Sequence, residues 1–202
     1  MRPSKQIISA VGGFIVIFGL LVVPWPGWNG IYGGYFRALG QAAFSCPDEQ
    51  RVVLFEPHPM QHGFSSLDTQ MTLGNRSSTD SSGRGRADIV DLDTRSLGWM
   101  PTALTMALIL ATPVPWRQRG WALLWGLLLI HAFILFSLQV WIWDKSPALS
   151  LLNLSPFWQT MMDDLEYTLV TQIGASFSVP ILIWILVTIR RENLFAVGRE
   201  PV

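Results

Sequence analysis

ATPVPWRQRGWALLWG, residues 111–126, interrupts a long apolar stretch with a short segment that holds two arginines and no acid. Leu97–Trp116 carries no charge and ends at PVPW. Trp121–Trp143 carries no formal charge, and only His131 and Gln139 stand out as polar. An α-helix needs about 20 mostly apolar residues to cross a bilayer. The segment therefore reads as a tight turn, residues 117–119, between two membrane spans. Arg117 and Arg119 would hold it in the cytoplasm, with Trp116 and Trp121 at the headgroup level.

Two more runs fit the same pattern. Ile7–Val23 is uncharged and stops at Pro24 and Pro26, and Ile173–Ile189 is uncharged and stops at Arg190 and Arg191. The first follows a basic MRPSK but lacks a small-residue cleavage site, so it reads as an uncleaved anchor. Charge sets the orientation. With the N-terminus inside, the cytoplasmic pieces hold Arg2, Lys5, Arg117, Arg119, Arg190, Arg191 and Arg199 against Glu192 and Glu200. The other seven basic residues face twelve acids outside, in keeping with the preference of short cytoplasmic segments for Lys and Arg. Only 14% of the 202 residues are charged, against roughly 25% in soluble domains.

The expected fold is thus an α-helical integral membrane protein with four transmembrane helices, N-in and C-in. Residues 1–24 give the first span and a short cytoplasmic N-terminus. Residues 25–96 form an extracytoplasmic segment, 97–143 a transmembrane hairpin, 144–172 a second outer loop, and 173–202 the last span with its tail. Ala103, Ala107 and Ala111 recur every four residues on one face,. With Ser9 and Gly13 they are the expected helix contact, because close approach in lipid needs small residues. Pro180 is expected to kink the last span.

Outside the membrane, residues 31–45 read as an interfacial amphipathic helix. Ile31, Tyr35, Leu39 and Ala42 share one side, as do Tyr32, Phe36 and Ala43, and Arg37, Gln41 and Ser45 fall opposite,. Residues 51–94 are β-like. RVVLFEP, the alternation in LDTQMTLG, and ADIVDLD make three candidate strands, with a polar connection over Asn75–Arg86,. SPFWQTMMDDLEYTL, residues 155–169, starts on Ser155 and Pro156 and reads as a second amphipathic helix,.

Chemistry is sparse. Cys46 with His58 or His62 is the one nucleophile–base set available outside the membrane,. It supports an alternative reading as a membrane-bound cysteine transferase or peptidase. His58 and His62 are four apart but flanked by prolines, and zinc generally takes three or four protein ligands, so no metal site is assigned. His131 lies mid-span, where a structural bond to Gln139 or another helix is favoured over proton relay. No P-loop, G-x-S-x-G or H-E-x-x-H is present,, and no cofactor is implied. Zero net charge gives no reason to expect nucleic acid.

Arg95 followed by MALILATPVPWRQRGWALLWG, residues 106–126, with one β-like outer segment between the first two spans, resembles the small membrane proteins associated with exosortases. The similarity covers mainly residues 95–130 and the layout. It implies an accessory role in a protein-sorting system of the bacterial envelope, and an inner-membrane location. An exosortase itself would need more spans and a cysteine, arginine and histidine set within them. The expected function is a non-catalytic accessory or structural subunit, in contact with lipid and assembling with other membrane proteins or with itself.

Overall fold

A computed structural model describes residues 3–23, 25–45, 51–58, 67–79, 85–149, 151, 155–168 and 173–188. Among them are six α-helices and one three-stranded sheet. The helices are α1 (Pro3–Val22), α2 (Trp28–Phe44), α3 (Met100–Ala111), α4 (Trp116–Lys145), α5 (Pro156–Glu166) and α6 (Ile173–Thr188). A π-helical turn, Arg95–Trp99, precedes α3. The strands β1 (Arg51–Pro57), β2 (Thr69–Thr79) and β3 (Gly85–Leu92) pair antiparallel in chain order. The chain divides into two compact units. One comprises Met1–Val23, Met100–Ala132 and Ser176–Val202, the other Pro24–Trp99 and Phe133–Ala175.

This mixed helix-and-sheet fold replaces the four-span arrangement, and the N-in/C-in topology goes with it. Among the described residues only α4 is both long and apolar enough to cross a bilayer. The second run fails because apolarity outlasts the helix. Its first residues belong to the π-helical turn, and Pro113 and Pro115 end the hydrogen-bond ladder. A 12-residue helix is left, about 18 Å long. Ile7–Val22 and Gly174–Thr188 form shorter apolar helices. The expected cytoplasmic turn is also displaced. Trp116, Arg117 and Arg119 lie in the first turn of α4, whose bond from Arg119 N–H to the Pro115 carbonyl starts the helix. The break itself falls on residues 112–115.

In the first unit α1 packs on α3. Ala103 and Ala107 are fully buried and Ala111 is half-buried. On α1 the expected small face is not the contact. Ser9 is exposed, and a side chain added at Gly12, Gly13 or Gly19 would meet nothing within 4 Å. The half-buried stripe is Ala10, Phe14, Ile17, Phe18 and Leu21, with Phe14 stacked on Phe18 at 5.6 Å. The close approach lies instead on α4, where a Cβ at Gly126 would fall 2.5 Å from Ile109 Cδ1. Ala107→Leu is expected to lower thermal stability in detergent by about 1–3 kcal/mol through overpacking. Leu108→Ala, at a half-buried position, should cost less. Equal losses would show that Ala107 is not a packing site.

In the second unit α2 covers one face of the sheet. Met71, Leu73 and Leu92 are completely buried, with Val53 and Phe55 nearly so, and Phe36 and Tyr32 face inward from α2. Gly40 lets the helix approach, since an added Cβ would stand 2.9–3.0 Å from the Phe55 ring. The Arg37–Gln41 side of α2, expected to face water, turns to the sheet. Gln41 donates to the Val53 carbonyl at 3.5 Å and accepts from Phe55 N–H at 3.1 Å. It thereby occupies the open edge of β1, a place where unpaired backbone groups otherwise invite another strand. Ile31 and Tyr35 are the exposed side. The expected polar connection begins later than Asn75, because β2 continues through an irregular register to Thr79. Asn75 is buried there, donating to the Leu149 carbonyl at 2.8 Å and accepting from Ser77.

Candidate functional site

In the first unit a groove of about 800 Å³ lies beside the start of α4 and the end of α6. Its geometry begins at Thr112. The Thr112 hydroxyl donates to the Leu108 carbonyl at 2.7 Å and accepts from Trp184 Nε1 at 2.8 Å. Its carbonyl accepts from the Arg119 guanidinium at 3.0 Å. One residue thus ties α6 and α4 to the end of α3. An arginine in the first turn of a helix opposes the helix dipole, at about 0.3–1 kcal/mol. Arg119 offsets this by reaching the carbonyl end of α3, where a cation is favoured, and by lying 4.5 Å over the Trp116 ring,. Its Nε is buried without a hydrogen-bond partner.

Arg117 points differently and lines the groove. Gln118 and Thr188 share its polar mouth. Trp121, Trp125 and Leu129 of α4 and Leu186 and Val187 of α6 form apolar walls. Among the described residues the lining holds no histidine, cysteine or carboxylate; a few polar groups beside apolar walls are the make-up of a surface that holds a molecule. The sequence marked Arg117 only as a topology signal. Its position one turn ahead of Trp121, with Trp125 a turn further on, is the pattern that makes a polar mouth above an apolar wall.

The other sequence candidates are dispersed. Cys46, His62, Arg190 and Arg191 lie outside the described residues. His58 follows β1, with its Nε2 3.4 Å from the Asp91 carboxylate and its N–H donating to the Asp68 carbonyl. His131 Nδ1 lies 2.7 Å from the Leu127 carbonyl of its own helix. Among the described residues no three His, Cys, Asp or Glu side chains converge as metal ligands would.

A polar knot missed from sequence sits at the foot of the sheet. Asp68 accepts from Thr94 N–H at 3.1 Å and from the Thr94 hydroxyl at 2.6 Å. Arg37 donates to the Asp68 carbonyl and to the Thr69 hydroxyl. Thr69 and Thr94 are buried, so these bonds satisfy groups that water cannot reach and fix α2 to the sheet. Elsewhere in this unit, Trp141 donates to Glu166 at 2.8 Å. Asp163, one turn before it, has its carboxyl raised above the usual aspartate value. The hydrogen bond to Asp144 is the main cause, followed by desolvation and the like charges nearby.

No family model, no curated protein and no solved structure matches this chain.

Proposed function

We propose that the chain is a membrane-bound accessory protein that carries no reaction of its own and assembles with other membrane or envelope proteins. The observation behind this is α4. Ala122, Gly126, Ile130, Ile134, Leu138 and Ile142 fall every four residues on one buried face. The rest is just as apolar yet uncovered: Trp121, Leu124, Trp125, Leu128 and Phe136 are exposed. A helix that is hydrophobic all round belongs inside a large core or in a bilayer. Only 28% of the apolar window of α4 is buried, which argues against a core helix and for lipid. Ile7, Ile8, Ile15 and Val16 of α1 and Leu182 and Leu186 of α6 add exposed apolar surface.

An assembling role rests on the sheet edge that no described strand pairs. Gln41 occupies the β1 edge, whereas β3 is the other edge strand and exposes Ile89. A partner strand fits there by backbone pairing. The likeness of residues 95–130 to exosortase-associated proteins points the same way, to a cell membrane and to partners. The test is fluorescence of the full chain in phosphatidylcholine vesicles with brominated acyl chains. Trp121 and Trp125 carry the expected signal. Strong quenching, reduced when both are changed to phenylalanine because eight other tryptophans remain, is the expected result. Unquenched emission, with protein that fails to float with the vesicles, would refute membrane attachment.

A further inference from the structure

We infer that the groove beside Arg117 is a binding site for one anionic phospholipid, with its phosphate at Arg117 and Gln118 and one acyl chain along Trp121, Trp125 and Leu129. This rests on the membrane reading above and assigns that surface a ligand.

Charge is the first observation. The described residues of this unit, 3–23, 100–132 and 176–188, contain Lys5, Arg117 and Arg119 and no aspartate or glutamate at all. Arg119 is already engaged with the Thr112 carbonyl and the Trp116 ring. Arg117 lines the groove with no described carboxylate in its unit to balance it. Arg117 is exposed, and beside an apolar wall such a cation attracts an anion more than it would in open water.

Shape is the second. The volume falls within the roughly 300–1,000 Å³ of ligand sites, which are mostly apolar with a few placed polar groups,. From Arg117 to Leu129 the wall runs about 18 Å along α4, enough to take most of an acyl chain. Both ends are marked by chemistry: guanidinium, amide and the Thr188 hydroxyl at the mouth, and indole and aliphatic side chains beyond it. A free anion would use only the mouth, and a neutral lipid would leave the cation unmatched.

The full chain, purified in mild detergent, is to be examined by native mass spectrometry with phosphatidylglycerol, phosphatidylcholine or inorganic phosphate added. Vesicle flotation is run in parallel. One phosphatidylglycerol per chain should be retained in preference to phosphatidylcholine. Arg117→Gln should cut that retention roughly five- to tenfold, and Arg117→Lys should restore most of it. Leu186→Trp, which fills the groove, should abolish it while flotation persists. Equal retention of the two lipids, or no effect of Arg117→Gln, would overturn the site while leaving membrane attachment intact. Phosphate retained as firmly as phosphatidylglycerol would also overturn it, since the acyl wall would then contribute nothing. A lipid-free dimer, or retention that rises on removing residues 189–202, would assign the groove to protein instead. Loss of flotation by the unaltered chain would sink the membrane reading itself, and this proposal with it.

Discussion

Gly98→Val should destabilise the α2–sheet unit by about 3 kcal/mol or more, a large part of the 5–15 kcal/mol that holds a typical protein folded. Gly98 is buried in the π-helical turn ahead of α3. A Cβ there would lie 2.5 Å from the Tyr32 hydroxyl oxygen, and 3.1 Å from both Tyr32 Cε1 and Phe36 Cδ2. These are atoms of rigid rings, and Phe36 is only 1% exposed, so neither ring has room to turn away. The same rings form a cluster: Trp99 lies 4.9 Å from Trp28 and 5.3 Å from Tyr32, edge to face. Near-ultraviolet circular dichroism of that cluster is the measurement, followed through thermal unfolding. The mildest change, Gly98→Ala, should be partly rescued by Tyr32→Phe, which removes the nearest atom. Gly120→Ala is the control. Nothing lies within 4 Å of its added carbon, and within a helix alanine is favoured over glycine by about 1 kcal/mol. If Gly98→Ala and Gly120→Ala behaved alike, close packing at Gly98 would be excluded.

The contrast between these two glycines shows where sequence reasoning stops. Spacing reveals that small residues share a helix face, as at Ala103 and Ala107, both of which are buried. It does not reveal which glycines another chain segment approaches. Gly40, Gly98 and Gly126 are closely packed, whereas an added Cβ at Gly12, Gly13 or Gly19 would meet nothing within 4 Å. Local rules served the sheet well. Of the alternating Leu67, Thr69, Met71 and Leu73, the last three point inward and Leu67 is exposed; three strands form at the β-rich runs, with β2 running on to Thr79. The same rules failed for the spans because an apolar count runs straight through Pro113 and Pro115 and cannot see a helix end. Arg117 and Arg119 looked equivalent as charges. In the fold one is tied back to Thr112 and the other opens onto a groove, a distinction set by tertiary geometry. Gln41 looked like a solvent residue for a similar reason. Its amide is polar, but it serves a strand edge that no sequence window links to it.

Residues 46–94 expressed alone should show almost no protected amides. The sheet depends on α2 for its stability. Met71, Leu73 and Leu92 are wholly buried, and the helix presses Phe36, Phe44 and the Gly40 backbone onto the same face, with Phe44 stacked 6.3 Å from Phe55. Uncovering each large apolar side chain forfeits about 1.5–3 kcal/mol. Three strands are already near the lower limit for independent stability, so losing several such contributions leaves nothing to offset the ordering of the backbone. Arg37 and Gln41 leave with the helix, which removes the bonds to the Thr69 hydroxyl, the Val53 carbonyl and the Phe55 N–H. Hydrogen exchange measures this directly. In the full chain Gln41→Ala should expose the Phe55 amide selectively, because its partner is removed while the β2–β3 ladder is untouched. In the isolated segment all three strands should exchange freely. Slow exchange across β2 in that segment would mean a self-standing domain, and α2 would then be an attachment rather than half of the core.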